Sequence, residues 1–525
     1  MATLKPDKPM LYKVTLMSLP AALSVVLVFW NLKGLGLCHW DEYNYIITAK
    51  WFLGGRDGVF TIYEPPGFPF LVSLFFKMFG VEDYVAIASS GVFAVLTVIL
   101  VTIIGFKMFS FEVGFGAPLL LTTSALFLFY SRMALTDIAF TFFFTAATIS
   151  LYKAFRSGRI RDTVYAGLIS AGCMAIKYNG FMPLIVAASY APIMVRGARD
   201  HEKPRQLIKY LTQLLVASLP TLAFIVLFLS LLGVGGGIGG IASMRTVKIL
   251  ASSFPDLISK GYARFHVAIE AHRGQLRPIP LIEAPFYIRV LVKWVPLPTL
   301  LFTLIGLASC DFKKVDESFA SYWLLLTFAL ISSIPARYSR AILPALPPLS
   351  LTSALGIAKL PTMLRPFLKR LVRPELWMNP HKKPMLALTI LLLIAVSSLP
   401  SVKDTVAMSH NAYRDAGQIL KSRTQGYTVI AETQRIIAFY HPVDFWRIKG
   451  DNLPEEGFIV VDHIAAVYGD HEVVRKLEVE GRIELVAAIV NDSPDIVYLD
   501  TVSFDELPKI KEDLNYTTIR IYKIK

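Results

Sequence analysis

The sequence predicts a polytopic α-helical membrane protein with about eleven transmembrane helices and a small C-terminal α/β domain. Of its residues, 54% are hydrophobic and only 18% are charged, whereas soluble domains contain about 25% charged residues. The apolar residues come in runs long enough to cross a bilayer, which takes about 20 helical residues. Residues 403–525 break this pattern, because helix-like and strand-like segments alternate there with many charged side chains. The composition therefore separates a transmembrane domain, 1–402, from a soluble domain, 403–525.

The apolar runs define the predicted spans. The first run, Val14–Leu37, follows lysines at positions 5, 8 and 13 and lacks a small-x-small cleavage site, so it predicts an uncleaved first span rather than a signal peptide. The run Phe68–Gly80 is short and rich in Phe and Pro, which predicts an interfacial helix in the first outer loop. The further predicted spans are Tyr84–Phe106, Val113–Tyr130, Met133–Tyr152, Val164–Tyr178, Phe181–Val195, Leu207–Leu232, Phe286–Ser309, Phe319–Ile334, Tyr338–Ala358 and Met385–Leu399.

The charges of the loops predict the orientation of these spans. With the N-terminus in the cytoplasm, every strongly basic short loop falls on the cytoplasmic side. The last of these loops, Lys359–Lys383, contains seven Lys or Arg residues. An odd number of spans then places the C-terminal domain outside. The sequence thus predicts a multi-pass protein of the cell (plasma) membrane with an extracytoplasmic C-terminal domain.

The C-terminal domain is predicted to alternate helices and strands. The predicted helices are Ala412–Ser422 and His471–Glu480, and the predicted strands are Tyr427–Ala431, Phe458–Val461, Ile483–Val490, Ile496–Leu499 and Tyr516–Ile524. This region has no GxGxxG pattern and no clear catalytic constellation, which favours a lid or a partner-binding module. No basic stripe with interleaved aromatic residues occurs there, which argues against nucleic-acid binding.

Acidic side chains stand where the predicted spans meet the outer face. Asp41 and Glu42 immediately follow the first span, and either could simply cap a helix, where a carboxylate is stabilised. Asp137 lies less than two helical turns into an otherwise apolar span, with Arg132 near the same end. A neutralising Arg132–Asp137 pair is one interpretation. A shared site is the other, because ionisable groups at membrane depth need a partner or a function.

Cations from separate spans reach the same predicted face. Lys177 and Tyr178 end one span, and Arg337, Tyr338 and Arg340 begin a later one. Such residues can be snorkelling cations. Two carboxylates facing several cations also suit a substrate with an anionic leaving group, with Arg and Lys holding a phosphate and a carboxylate acting as base.

These segments, in this order, resemble the GT-C glycosyltransferases, in particular the ArnT-like and dolichyl-phosphate-mannose protein mannosyltransferase-like branch. The resemblance covers roughly Met10–Leu360. It is carried by the Asp-Glu pair after the first span, the turn Tyr63–Gly67 and the pairs Arg132…Asp137, Lys177-Tyr178 and Arg337-Tyr338…Leu343-Pro344.

The resemblance implies the GT-C fold and an inverting hexosyl- or pentosyltransferase that uses a polyprenyl- or dolichyl-phosphate sugar donor. The acceptor would be a protein, a glycan or a lipid at the outer face. Asp41 matches the catalytic base, and Asp137 matches a second acid that arranges the first loop. Lys177 and Tyr338 resemble phosphate-contacting positions. The full set of candidates is catalytic Asp41, Glu42 and Asp137, with substrate-binding Lys177, Tyr178, Arg337, Tyr338, Arg340, Arg132 and Glu64.

Two departures from the family pattern affect the site. Some ArnT-like proteins have an Arg three residues after the Asp, where this chain has Asn44, so another cation must substitute, with Gly233–Pro285 as its expected source. Those proteins also have Glu-Lys before the Pro pair, where this chain has Tyr63-Glu64. The resemblance therefore implies no certain cofactor, and a divalent cation is the one candidate.

Two other functions fit the same membrane protein. A transporter or flippase for a lipid-linked sugar would also need ionisable residues facing a cavity. Transporters favour internal repeats and midplane sites, whereas the charges here gather at one face. A non-catalytic scaffold would leave Asp41, Asp137 and Lys177 unexplained.

Overall fold

A computed structural model gives the fold of the chain. It describes residues 8–55, 57–61, 65–196, 201–234, 279–311, 314–335, 337–368, 382–409, 411–423, 428–431, 436–445, 455–462, 471–490, 504–508, 512 and 517–525. The predicted Gly233–Pro285 loop lies largely outside these residues, as do Glu64 and the predicted strand Ile496–Leu499.

The membrane part is built from helices. They are α1 (Lys8–Phe29), α2 (Trp40–Phe52), α3 (Gly67–Phe79), α4 (Asp83–Met108), α5 (Phe111–Thr122), α6 (Ala125–Ser131), α7 (Thr136–Ser157), α8 (Ile160–Ile176), α9 (Met182–Met194), α10 (Lys203–Val234), α11 (Ala284–Trp294), α12 (Leu297–Ala308), α13 (Val315–Ser332), α14 (Leu346–Leu368), α15 (Lys382–Ser397) and α16 (Leu399–Ala407). Short 3₁₀ helices lie at Leu32–Gly34, Tyr178–Phe181 and Ser339–Ala345.

Several helices can cross a membrane. Among the described residues, five helices are long and apolar enough, and up to seven if each of two bent helix pairs counts as one span. The exposed face of α10 carries large apolar side chains such as Ile208 and Leu215, each 63% exposed, which is favourable against lipid and costly in water. The predicted polytopic helical fold is confirmed, and the number eleven stays a prediction.

Some predicted spans are interrupted. The predicted span Phe286–Ser309 consists of α11 and α12, because Pro296 has no N–H to continue the helical hydrogen bonds. Helices α5 and α6 meet at 64° within the predicted span Val113–Tyr130. The first helix ends at Phe29, earlier than predicted, and Asn31 adopts a left-handed conformation with φ 49°. Residues 30–39 therefore form a connector that leads to α2.

Small residues allow close packing between helices. A Cβ added at Gly306 of α12 would collide with the backbone of Thr352 on α14, and one at Gly356 would collide with the backbone of Phe302. Close approach at glycines is a common basis of helix association in membranes.

The C-terminal region is an α/β domain, as predicted. It contains α17 (Ala412–Arg423), α18 (Ile437–Tyr440), α19 (His471–Val479), β1 (Val429–Ala431), β2 (Asp444–Phe445), β3 (Phe458–Asp462), β4 (Ile483–Val490) and β5 (Thr517–Ile524). The sheet order is β2-β1-β3-β5-β4. Strand β1 is parallel to β2 and β3, whereas β5 is antiparallel to β3 and β4. The predicted boundary after residue 402 falls inside α16, and the division into two domains stays a prediction.

Candidate active site

The start of α2 is fixed by reciprocal hydrogen bonds. His39 precedes the helix, and its Nδ1 accepts from the backbone N–H of Asp41 at 3.1 Å. Glu42 Oε2 accepts from the backbone N–H groups of His39 at 2.8 Å and Cys38 at 2.7 Å. This is a capping box in which His39 takes the place of the usual Ser or Thr. It presents Asp41 in the first turn of α2.

Glu42 also joins α2 to the segment before α7. Its Oε1 accepts from the backbone N–H of Ala134 at 2.8 Å, three residues before Asp137. The side chain is buried at 1% exposure. Burial raises the pKa of Glu42 above its ordinary value, against the opposing effect of the three backbone hydrogen bonds. With both oxygens engaged by backbone, Glu42 has the geometry of an anchor.

Four charged side chains from distant segments form one row. Arg340 Nη2 lies 2.6 Å from Asp41 Oδ2, and Arg340 Nε lies 3.6 Å from Asp137 Oδ2. Lys177 Nζ lies 2.6 Å from the other oxygen of Asp137. The row therefore alternates in sign, from Asp41 through Arg340 and Asp137 to Lys177.

The row is largely shielded from solvent. The side chains of Asp137 and Arg340 are 3% and 8% exposed, and those of Lys177 and Asp41 are 18% and 19% exposed. Charges this buried need partners of opposite sign. The two ends of the row are its more accessible members.

The backbone explains how these side chains meet. Asp41 and Asp137 each lie in the first turn of a helix, where a carboxylate is favoured by the helix dipole. Lys177 follows α8 in an extended conformation, with φ −150° and ψ 141°. Arg340 lies in the 3₁₀ helix before α14. The predicted meeting of Asp41, Asp137, Lys177 and Arg340 is thus what the structure contains.

Arg340 also contacts His39, which was not among the predicted site residues, and Tyr338, which was. Its Nη1 lies 3.1 Å from His39 Nε2, and its guanidinium lies 5.4 Å from the centre of the Tyr338 ring. Burial raises the pKa of Asp41, but Arg340 and His39 lower it more, so the pKa lies below its ordinary value. Asp41 is therefore ionised at neutral pH. Arg340 is thus a cation beside Asp41, whereas the predicted source of a substitute for the Arg that Asn44 replaces, Gly233–Pro285, lies largely outside the described residues.

Arg132 is engaged elsewhere. Its Nη1 donates to the backbone carbonyls of Leu27, Val28 and Trp30 at 2.8 to 3.1 Å. Its Nη2 donates to the carbonyl of Val406 at 3.3 Å. The last carbonyls of a helix have no hydrogen-bond donor within the helix. Arg132 therefore supplies donors to the carbonyls at the C-terminal end of α1. Asp137 is neutralised by Lys177 and Arg340, so the Arg132–Asp137 interpretation is wrong.

Two further candidates, Arg337 and Tyr178, contact residues outside the row. Arg337 is 58% exposed and pairs with Glu283 at 2.9 Å. The Tyr178 ring lies 6.3 Å from that of Phe228. The described residues contain no group of three or more His, Cys, Asp or Glu side chains arranged to hold a metal ion. Since Glu64 is outside them, a divalent cation stays a prediction.

Comparisons with known proteins agree with this architecture. A family model described as dolichyl-phosphate-mannose-protein mannosyltransferase matches residues 63–225, a range that includes Asp137 and Lys177. No curated protein matches the chain in sequence.

Two solved proteins share the fold. ArnT from Cupriavidus metallidurans in the apo state superposes with a TM-score of 0.58 at 13% identity, covering 97% of this chain and 98% of that chain. The same protein bound to undecaprenyl phosphate gives 0.55 at 12% identity, over 89% and 95% of the two chains. The apo oligosaccharyltransferase of Archaeoglobus fulgidus gives 0.57 at 13% identity, over 88% and 71%.

The chain is thus a helical membrane protein with the GT-C fold and a buried row of carboxylates and cations. Its resemblance to the ArnT-like and protein mannosyltransferase-like branch is confirmed by both kinds of comparison.

Proposed function

We propose that this protein is an inverting glycosyltransferase that moves a sugar from a polyprenyl- or dolichyl-phosphate donor to an acceptor at the outer membrane face. The observation that carries the proposal is the buried row Asp41–Arg340–Asp137–Lys177. It combines an ionised carboxylate with two cations, which are the groups that base catalysis and phosphate binding require.

Asp41 is the proposed base. The acceptor hydroxyl gives its proton to Asp41 while its oxygen forms a bond to the anomeric carbon of the donor sugar. The bond from that carbon to the phosphate oxygen breaks, and its electron pair leaves with the lipid phosphate. Attack and departure on opposite faces of the sugar invert the anomeric carbon. Asp41 suits this role because it is ionised and 19% exposed, at one end of the row.

Lys177 and Arg340 are the proposed phosphate-binding groups. Both contact Asp137, which holds the two cations side by side. Fixed cations stabilise the negative charge that grows on the leaving phosphate. Tyr338 lies against Arg340 and is the proposed neighbour of the phosphate. One of the two ArnT structures has undecaprenyl phosphate bound, which supports a lipid-phosphate donor for a chain with the same fold.

The outer face is proposed from the positions of charges on α7. Asp137 lies in its first turn, and Arg156 lies in its last turn and is exposed. With 1.5 Å of rise per residue, the two are about 28 Å apart, close to the thickness of the hydrocarbon core. Since basic loops are typical of the cytoplasmic side, the row is assigned to the extracytoplasmic face of the plasma membrane, together with the C-terminal domain.

The test is transfer of label. Purified protein in lipid is incubated with a panel of radiolabelled polyprenyl-phosphate sugars and with membranes that contain protein, glycan and lipid acceptors. The expected result is label on one acceptor class, with free lipid phosphate as the other product. Movement of an intact labelled donor across a vesicle bilayer, without transfer, would instead identify a flippase.

A further inference from the structure

The C-terminal domain contacts the membrane domain through a buried carboxylate. Asp83 begins α4 and is 4% exposed. Its Oδ2 accepts from Arg414 Nη2 at 2.7 Å and from the Tyr440 hydroxyl at 2.6 Å. Arg414 lies on α17, and Tyr440 is the last residue of α18. Charge-assisted bonds of this kind are the stronger hydrogen bonds of proteins.

The same two side chains hold the connector between α1 and α2. The Tyr440 oxygen accepts from the backbone N–H of Leu37 at 3.0 Å. Arg414 donates to the backbone carbonyl of Lys33 at 2.8 Å and also to that of Leu35. Burial raises the pKa of Tyr440 well above its ordinary value, and the Asp83 charge raises it further. The hydroxyl therefore keeps the proton that it donates to Asp83.

The connector leads directly to the proposed base. Leu37 is followed by Cys38 and His39, whose backbone N–H groups both bind Glu42. His39 in turn accepts from the backbone of Asp41 and contacts Arg340. Leu37, Cys38, His39 and Asp41 thus each make a hydrogen bond or an ion pair. A shift of Leu37 would pass to Asp41 through these few bonds.

Tyr440 is itself held firmly. A Cβ added at Gly417 on α17 would lie 2.5 Å from the Tyr440 Cβ, so α17 packs directly against the residue that binds Leu37. Tyr440 and Arg414 are therefore presented to the connector by one packed unit of the C-terminal domain.

We propose that Arg414 and Tyr440 are positioning residues that hold residues 33–37 so that Asp41 meets Arg340. The C-terminal domain then sets the geometry of the proposed base rather than only covering the site. This proposal rests on the proposed function of Asp41, although its structural half can be measured without activity.

The test compares two tyrosines that lose the same hydroxyl. Tyr440→Phe removes the bonds to Leu37 and Asp83 but keeps the ring. Tyr413→Phe is the matched control, because the Tyr413 hydroxyl binds Asp462 within the C-terminal domain at 2.9 Å. Arg414→Lys is a second variant that keeps a positive charge at Asp83 but loses the planar fork. Backbone hydrogen exchange of residues 33–42 and the turnover of full-length protein are measured for each.

In Tyr440→Phe, we expect backbone hydrogen exchange at Leu37 to Asp41 to be about tenfold faster. We also expect kcat to be about tenfold lower, with the KM for the donor unchanged. A tenfold change corresponds to the loss of one hydrogen bond of about 1.4 kcal/mol. Tyr413→Phe should leave both quantities near wild type. Unchanged exchange, unchanged turnover or equal effects in the control would each overturn the proposal. If the wild type transfers no sugar, the proposed function fails, and exchange alone still decides whether the connector is held.

Discussion

Arg340 Nη2 lies 2.6 Å from Asp41 Oδ2, although 299 positions separate the two residues in the sequence. This contact joins the first turn of α2 to the 3₁₀ helix that precedes α14. Because Arg340 also faces Asp137, a single guanidinium lies between the proposed base and the carboxylate that binds Lys177.

Asp41→Asn should abolish sugar transfer, because an amide cannot accept the acceptor's proton at neutral pH. Lipid donor should still bind, since Lys177 and Arg340 remain. Transfer and donor binding are measured on the same purified sample. Asp57→Asn is the control, because Asp57 is an exposed aspartate of the same outer loop. Full activity in Asp41→Asn would remove Asp41 from the mechanism.

Lys177→Ala should weaken donor binding by about tenfold or more, the loss of one charge-assisted contact to phosphate. Affinity for polyprenyl phosphate is measured by titration in detergent, with thermal unfolding as a check on folding. Lys107→Ala makes the same change at an exposed lysine near the opposite end of the membrane domain. An unaltered affinity in Lys177→Ala would contradict its proposed contact with the phosphate.

Arg340→Lys should lower turnover although it keeps the charge. A lysine ammonium cannot span the separate contacts that Arg340 makes with Asp41 and His39. Arg289→Lys is the matched control, since Arg289 is mostly exposed and pairs with Asp505. Equal turnover in the two variants would count against a role for the Arg340 guanidinium.

The pH dependence of turnover should follow Asp41. Burial raises the pKa of Asp41, but Arg340 lowers it more. The base therefore stays ionised as pH falls. The pH at which kcat/KM falls on the acid side should lie below the ordinary Asp pKa of about 3.9. Likewise, any stability that the pair contributes is present above that value and lost as pH falls through the lowered pKa. In Arg340→Gln the acid limb should move to higher pH, because the effect of burial on the pKa of Asp41 then loses its main opposition. A limb that stays in place would show that another group controls it.

Labels on opposite membrane faces should report the predicted orientation. Single cysteines are placed at the exposed positions Arg159 and Lys476, in a background where Cys310 is replaced by Ser. An impermeant thiol reagent applied outside intact cells should modify Lys476→Cys and spare Arg159→Cys. Modification of both from the same side would overturn the assignment of the active site to the outer face.

The sequence predicted the members of the site better than their contacts. Asp41, Asp137, Lys177 and Arg340 could be grouped, because each is an ionisable residue at the end of an apolar run. The partner of Asp41 could not be predicted, since contacts between distant segments depend on how the helices pack. The Arg132–Asp137 pairing was wrong for the same reason, because Arg132 instead donates to backbone carbonyls at the end of α1.

Short sequence patterns predicted some parts of the fold better than others. The strand Ile483–Val490 has the predicted bounds, because seven of its eight residues are apolar. The interruption between α11 and α12 falls at Pro296, which has no N–H to continue the helical hydrogen bonds. The capping role of His39 was harder to see, since His is an unusual capping residue. The Asp83 contacts with Arg414 and Tyr440 have no sequence signal, because they join segments more than 300 positions apart in the chain.

The buried row holds two positive and two negative side chains, and this balance has an electrical consequence. A sugar linked to lipid phosphate carries one negative charge, and the lipid phosphate left after transfer approaches two, as its second pKa is about 6. In the proposed reaction the proton taken by Asp41 removes one negative charge from the protein as the phosphate gains one. The total charge inside the site is therefore the same before and after transfer, so no counterion has to enter a region of low dielectric during the chemical step.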